Sequence, residues 1–300
     1  MTGRHNPVSF LAAAGAILLA ILLYDVMGAI VKHLSPRYPA PELAVFRNLF
    51  GLVPNLLMLI GSQAWIAAGR PLAIRQWKLA LVRGGIGALA QLSFFLAVAH
   101  LAFATAATLT YAGPLFVTAL SALLLGHRVG LWRWAAVSIG FAGVVLVMRP
   151  AAESFTWYAL LPLSAAMGYA SISVTAQFFD RRLPTALINL YQTAGALVGA
   201  LALVAVTGGF VAVASLTDWL WLAAMGLAGG SAGLCLIAAY RLGEPSSLSP
   251  FEYFGIPFSY VIGWVFFAES PYERLIPGVF LIAGGGLFIL WRERTVTRRW

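Results

Sequence analysis

The chain has few charged residues. Asp, Glu, Lys and Arg together make up 10% of its 300 residues, whereas a typical soluble domain carries roughly a quarter. Hydrophobic residues make up 61%, so the chain cannot cover itself with a polar surface. This composition excludes a soluble globular protein. It predicts a polytopic membrane protein, since ten crossings of about 20 apolar residues each would use about two thirds of the chain.

Cysteine is almost absent, because Cys235 is the only one. An intramolecular disulfide and a cysteine-based metal cluster are therefore excluded. The chain also lacks a G-x-x-x-x-G-K-[S/T] loop that could cradle phosphates, which excludes an ATP-driven pump. We expect no cofactor and no bound metal.

Apolar runs separated by Pro, Gly or charged residues predict ten membrane spans and no inserted soluble domain. The first run, from Phe10 to Val31, is too long for a signal-peptide core and further spans follow it, so we interpret it as a retained helix. The predicted spans are 9–32, 43–62, 77–98, 103–125, 131–148, 156–178, 185–207, 218–240, 248–268 and 275–291.

The net charge of +9 is explained by membrane topology rather than by nucleic acid. With a cytoplasmic N-terminus, most of the 19 basic residues fall in inner segments, which is the positive-inside asymmetry. Both termini are therefore predicted to be cytoplasmic. Arg47 and Arg83 lie within spans, one or two turns from a span end, where arginine can snorkel to headgroups or bind a helix end.

The two halves of the chain show weak internal similarity, which indicates a duplication. Because five spans per half is an odd number, the second half would cross the membrane inverted, with the substrate site near the midplane between the halves. We predict two five-helix repeats, 1–149 and 150–300. The aligned positions, at offsets of about 144 and then about 142 residues, include Tyr24 with Gly168, Arg47 with Tyr191, Gly51 with Gly195, Gly126-His127 with Ala268-Glu269, and Gly143 with Gly285.

With these features the sequence resembles the drug/metabolite transporter superfamily, specifically its ten-helix EamA-type exporters. The family usually has glutamate where His127 stands here, while Glu269 holds the matching place in the second half. The motifs that carry the resemblance are the polar end of the first span (24–32), Pro41-x5-Arg47, the Ala- and Thr-rich stretch that reaches Pro114, Leu125-Gly126-His127-Arg128, and Gly140-x2-Gly143 with its echo at Ile282-x2-Gly285.

Within the superfamily the chain looks most like the aromatic amino acid exporters of the YddG type. The resemblance implies a basket of ten helices around a central cavity, formed mainly by the first, third, fourth, sixth, eighth and ninth spans. It also implies a small-molecule substrate and a location in the bacterial inner membrane. We expect the lipid bilayer as the surroundings of the protein, no nucleic-acid partner, and a monomer.

Charged groups inside spans are functional candidates, because each costs roughly 2.5–3.5 kcal/mol at the centre of a span. Asp25 lies in the outer half of the first span. It could bind a substrate ammonium or a proton, or be an interfacial carboxylate near Lys32 or His33. Glu252, just inside the ninth span, and His100 are predicted to act in gating.

Aromatic and weakly polar side chains near the midplane are predicted to line a substrate cavity, and plain helix packing is the alternative. Spacings of seven and four residues place Tyr253, Tyr260 and Trp264 near one helix face. Rings would stack on a flat apolar group, while hydroxyls and an amide would orient its polar end. The predicted substrate-binding residues are Tyr24, Asp25, Gln91, Phe94, Tyr111, Pro114, Ser164, Tyr169, Tyr253, Pro257, Tyr260 and Trp264.

The sequence therefore predicts an all-α secondary exporter of amino acids, aromatic ones foremost, and related metabolites, working by alternating access. Proton-coupled and downhill export are both compatible with it. Three alternatives stay open: a broad-specificity exporter of lipophilic cations or drugs, a non-transporting accessory protein, and an intramembrane enzyme. For the enzyme, His100 with Asp25 is the only acid–base pairing available.

Overall fold

Helices make up all the regular structure in the part of the chain that is described. The structure is a computed structural model, and it describes residues 7–67, 69, 72–125, 131–148, 156–175, 178–179, 183–242, 249–269, 277–284 and 288. Within these residues, six helices are long and apolar enough to cross a membrane. Shorter apolar helices lie at Ser138–Val147 and Phe251–Phe267. This architecture confirms the predicted all-helical membrane class.

The first three predicted spans fall on long helices whose ends lie within about one turn of the predicted ends. Pro39 precedes the second long helix and Pro41 lies in its first turn, where a missing backbone N–H leaves no hydrogen bond unmade. A short helix that the sequence did not predict follows it. The helices are α1 (Pro7–Leu34), α2 (Ala40–Ile60), α3 (Gln63–Ala67) and α4 (Trp77–His100).

The fourth predicted span is two helices, α5 (Phe103–Thr110) and α6 (Gly113–Leu125), separated by a turn at Tyr111 and Ala112. Pro114 is the second residue of α6, where its lack of an N–H is tolerated. The carbonyl of Ala112 accepts from the amides of Leu115 and Phe116, which starts the new helix. The fifth span is α7 (Leu131–Met148).

The second half of the chain has a similar series of elements. The sixth and ninth spans each begin with 3-10 turns, Trp157–Ala159 and Ser249–Phe254, before continuing as α-helices. Of the predicted tenth span, residues 278–284 and residue 288 are described as helical. The helices are α8 (Leu160–Thr175), α9 (Thr185–Thr207), α10 (Leu216–Leu242) and α11 (Gly255–Phe267).

Ala268 ends α11 in the left-handed region, with φ of 52°. This conformation is unfavourable for a residue with a Cβ. It turns the chain back so that the amide of Glu269 donates to the carbonyl of Gly263 at 3.1 Å. The strained turn fixes the Glu269 side chain over the end of the helix.

Helices of the first half pack mainly against helices of the second half. Helix α1 lies along α10, α2 lies between α9 and α10, α4 packs on α8 and α9, and α5 packs on α11. Glycines allow the closest approaches. A Cβ added at Gly84 on α4 would lie 2.8 Å from the Cα of Gly195 on α9, and Gly51 on α2 faces Gly226 and Gly230 on α10.

Candidate functional site

Polar side chains from α1, α2, α4 and the α5–α6 turn meet at one depth inside the helix bundle. Each lies seven to ten residues from the helix ends that meet on one side, roughly 10–15 Å along the helix axis. We call this group the central cluster. Its members are Tyr24, Asp25, Arg47, Asn48, Gln91 and Tyr111.

Asp25 is the acidic member of the cluster and is 5% exposed. Its side chain is hydrogen-bonded to Tyr111, whose hydroxyl donates to the carboxylate. Oδ2 of Asp25 has no hydrogen-bond partner among the described residues. The carboxylate thus has one oxygen for which the described part of the chain supplies no donor.

Gly255, the first residue of α11, makes room for the Tyr111 hydroxyl. A Cβ built on Gly255 would collide with the Tyr111 ring and hydroxyl. Tyr111 lies in the turn between α5 and α6. In an unbroken helix its side chain would follow the regular helical spacing, whereas the turn directs it to this place. This role of Gly255 was not predicted from the sequence.

Arg47 is the basic member of the cluster. Its Nη1 donates to Asn48 Oδ1 at 2.9 Å and its Nη2 to the carbonyl of Gly229, in the middle of α10, at 3.4 Å. The structure therefore differs from the expected snorkelling or helix-end role. Asn48, which the sequence analysis missed, is fully buried and donates to Gln91 Oε1 at 2.9 Å. An asparagine next to an arginine within a span was the available signal.

Aromatic rings surround these polar groups. The side chain of Tyr24 lies near enough to Arg47 and Glu252 to interact electrostatically with both. Tyr169 interacts in the same way with Arg47 and Tyr24. Phe94 approaches Gly28, one turn from Asp25 on α1. The predicted residues Tyr24, Asp25, Gln91, Phe94, Tyr111 and Tyr169 are therefore brought together around one region.

Part of the predicted aromatic face on the ninth span does not join the cluster. Tyr253 is buried, whereas Trp264 is 57% exposed on a face of α11 that also exposes Pro257, Val261 and Val265. The reason is that Tyr253 lies in a 3-10 turn, so the α-helical spacing used in the prediction does not extend back to it. Tyr260 is half-buried against the packed core near α5 and α7.

Three other predicted site residues have no described contact with the central cluster. Ser164 is exposed and donates to the carbonyl of Leu161 in its own helix at 2.8 Å. His100 is exposed and stacks on Tyr158, with ring centroids 4.0 Å apart, so the supposed acid–base pairing with Asp25 is absent from the structure. The side chain of Pro114 lies outside the described residues.

Glu252 lies in the 3-10 turn that precedes α11. It is within electrostatic range of Tyr24, Tyr111 and Tyr253, so the ninth span adds a second acidic group at the edge of the cluster. Its predicted gating role is compatible with this place.

A second polar group, which we call the Lys32 network, joins the ends of α1, α4, α5 and α11. Lys32 Nζ pairs with Glu269 Oε1 at 2.6 Å and donates to the carbonyl of Leu101 at 2.6 Å. Glu269 Oε2 accepts from the amide of Phe103, also at 2.6 Å. Both charged side chains are largely enclosed, at 17% and 16% exposure. The network joins the ends of these helices about two turns from Asp25 along α1.

Two other charged side chains, Arg37 and Arg83, have partners outside the central cluster. Arg37 and the buried Asp218 form an ion pair at 2.7 Å, to which the hydroxyl of Tyr38 adds a hydrogen bond at 2.9 Å. Arg83, 4% exposed on α4, donates to the carbonyl of Ile172 at 2.9 Å and lies over the ring of Phe179.

Comparison with known proteins places the chain among transporters. Residues 11–149 match the EamA-like transporter family. The pseudopaline exporter CntI of Pseudomonas aeruginosa is 31% identical over 278 residues, covering 91% of this chain and 93% of that protein. A riboflavin transporter of Rhizobium johnstonii is 29% identical, covering 96% of this chain and 94% of that protein.

More distant similarities agree with these. An S-adenosylmethionine uptake transporter of Rickettsia conorii is 22% identical, covering 97% of this chain and 96% of that protein. A solved crystal structure superposes with a TM-score of 0.65 at 22% identity, covering 95% of this chain and 98% of that chain, which shows a shared fold. These relatives do not support a placement beside aromatic amino acid exporters in particular.

Proposed function

The chain belongs to the EamA-like transporter family, and on that premise we propose that it is a secondary exporter of amino acids and related small metabolites working by alternating access. Membership makes it a multi-pass membrane transporter of small molecules rather than an enzyme. The observation that carries the proposal for its cargo is the buried Asp25 carboxylate, which is bonded to the Tyr111 hydroxyl and has one oxygen without a partner among the described residues. Such a site suits an ammonium group attached to a flat apolar body.

The proposed mechanism uses ten spans in two inverted repeats, and the packing of the glycines supports it. Gly51 and Gly195 align in the two halves, and each touches a helix of the opposite half. Gly51 on the second span meets the eighth, while Gly195 on the seventh meets Gly84 on the third. A twofold rotation that exchanges the two halves would place one of these contacts on the other. Such a relation between the repeats is what alternating access requires.

We propose that both termini are cytoplasmic, in a bacterial inner membrane, because most basic residues then lie on the inner side. The Lys32 network would lie on the outer side in that orientation. Its ion pair holds the ends of α1 and α11 together, which corresponds to a conformation closed toward the outside. Export would then require this pair to separate.

The named cargoes of the relatives differ widely, from pseudopaline to riboflavin and S-adenosylmethionine. The family thus narrows the cargo of this chain to a small organic molecule. We propose aromatic amino acids as the first cargoes to test, because Tyr111 contacts Asp25 while Tyr24 and Tyr169 lie near Arg47, so that aromatic rings accompany both charged groups.

Counterflow into proteoliposomes tests the proposal. Vesicles loaded with unlabelled phenylalanine should transiently accumulate labelled phenylalanine, and tryptophan should suppress the accumulation. Riboflavin and S-adenosylmethionine serve as competitors that represent the cargoes of the relatives. No accumulation by folded, inserted protein would reject aromatic amino acids as cargo. A pH gradient applied in the same vesicles would distinguish proton-coupled from downhill export.

A lipophilic cation is the second candidate cargo, and the same carboxylate favours it. Asp25 lies close to Phe94 and Phe103, which approach Gly28 one turn away on α1. A cation with a ring could bind there without any acidic group of its own. Efflux of a labelled quaternary ammonium compound, suppressed by Asp25→Asn, would support this candidate.

A further inference from the structure

We infer that Arg47 and Gln91 form a subsite for a carboxylate, or another acidic group, of the transported molecule. The inference rests on the proposed function, since the subsite belongs to the same central cluster. It also divides the two candidate cargoes, because an amino acid carries a carboxylate and a lipophilic cation does not.

Arg47 has more donors than the protein uses. A guanidinium carries five N–H groups. One nitrogen donates to Asn48 at 2.9 Å, a second reaches Gly229 at 3.4 Å, and Nε has no partner among the described residues. No acidic side chain among the described residues is within ion-pair distance of this cation. A carboxylate would supply both the missing charge and the missing acceptors.

Gln91 adds a second unused donor. It is 5% exposed, and its Oε1 already accepts from Asn48, which leaves the amide nitrogen without a partner among the described residues. A buried amide N–H₂ without an acceptor costs free energy. Arg47 and Gln91 both contact Asn48, so their spare donors belong to one connected group. Two neighbouring donor groups without an acceptor are what an anionic ligand requires.

The guanidinium is held in a fixed place. Asn48 is fixed by its own bonds to Gln91 and to the carbonyl of Ala44 at 2.8 Å. On the other side, a Cβ at Gly229 would lie 2.9 Å from Arg47 Nε and 2.6 Å from Met27 Sδ. Glycine is therefore required on α10 for the arginine side chain to take this path. This preorganisation is typical of a binding group.

The second intramembrane arginine, Arg83, also has nitrogens without a partner among the described residues, Nε and Nη1, so it differs from Arg47 in its surroundings rather than in its unused donors. Arg83 is 4% exposed, its Nη2 donates to the Ile172 carbonyl at 2.9 Å, and its guanidinium lies over the Phe179 ring. Arg47 is only half-buried and lies within electrostatic range of Tyr24 and Tyr169. Arg83→Gln is thus a matched control for the loss of one arginine inside the bundle.

Three probes separate the two poles of the site: phenylalanine, 2-phenylethylamine, which lacks the carboxylate, and phenylacetate, which lacks the ammonium. Each competes for counterflow of labelled phenylalanine. In Arg47→Gln, the apparent affinity for phenylalanine and phenylacetate should fall about 10- to 100-fold, the range expected for a charge-assisted contact. The affinity for 2-phenylethylamine should change less than about twofold, measured by its own labelled uptake.

Further variants sharpen the test. Arg47→Lys should retain part of the affinity, because it keeps the charge but loses the planar fork. Gly229→Ala should reproduce the selective loss by displacing the guanidinium. Arg83→Gln should affect all three probes equally. Equal losses for all three probes in Arg47→Gln, in protein that elutes as a folded species, would overturn the inference.

A binding measurement keeps this test separate from the proposed function. If the unaltered protein accumulates none of the probes, the aromatic amino acid proposal fails. The subsite is then tested by the shift in unfolding temperature of the purified protein with millimolar phenylacetate. A shift that disappears in Arg47→Gln but remains in Arg83→Gln supports the subsite, and the absence of an Arg47-dependent shift rejects it.

Discussion

Helix α1 carries two charged residues, Asp25 and Lys32, which are seven residues apart and differ in how completely they are paired. Lys32 has an acidic partner and a carbonyl within 2.6 Å. Asp25 has one tyrosine hydroxyl, and its Oδ2 has no partner in the described ranges of the chain. Full pairing at the helix end stabilises a closed arrangement, whereas incomplete pairing about two turns deeper leaves the site ready for a ligand.

Among the substitutions that test this difference between Asp25 and Lys32, Asp25→Asn should have the largest effect on transport. The amide keeps the size of the side chain and its contact with Tyr111 but cannot pair with an ammonium group. Counterflow of phenylalanine should fall about 10- to 100-fold with the amount of folded protein unchanged. Asp218→Asn changes a buried carboxylate that already has its partners and should leave transport nearly intact. Equal losses in the two variants would contradict the distinction.

Gly255→Ala should have the next largest effect, because the new methyl group would displace Tyr111 from Asp25. Overpacking of this kind costs about 1–3 kcal/mol. We expect a lower unfolding temperature and about tenfold slower counterflow. Adding Tyr111→Leu removes the colliding ring and hydroxyl and should restore part of the unfolding temperature but not transport. Recovery of both would show that the Tyr111 hydroxyl has no part in binding.

Breaking the Lys32 network should have a moderate effect. Lys32→Gln leaves Glu269 without its cation and should weaken closure, changing the counterflow rate by about three- to tenfold. The double variant with Lys32→Glu and Glu269→Lys, which exchanges the two charges, should restore part of the counterflow rate. Accessibility is measured with a cysteine at Ala104 in a Cys235→Ala background, using a membrane-impermeant maleimide. Unchanged labelling in Lys32→Gln would show that the pair does not control access.

Arg37→Gln should have the smallest effect. The side chain of Arg37 is 46% exposed, and ion pairs that reach solvent contribute roughly 1 kcal/mol or less. We expect the unfolding temperature and counterflow to remain close to those of the unaltered protein. A loss as large as that of Lys32→Gln would mean that any ion pair at this side of the bundle is needed for transport.

Helix positions were largely predictable, whereas contacts between helices were not. The predicted span 185–207 coincides with α9, since hydrophobic runs bounded by Pro and Gly are local signals. The face of Trp264 was not predictable, because a 3-10 turn before α11 ended the regular spacing. Arg47 was located in its span, but its partner Gly229 lies 182 residues away and no local pattern indicates it.

The sequence alone determined that this is an all-helical membrane protein and that few polar groups enter its spans. Both follow from composition and from the free energy of placing apolar and charged residues in lipid, which depends on each residue and its near neighbours. Only the tertiary structure decided which charges are paired. Lys32 meets Glu269 across the bundle while Asp25 and Arg47 meet no ion partner among the described residues. Pairing depends on how distant helices pack, and that packing is set by close approaches such as the one at Gly84 and Gly195.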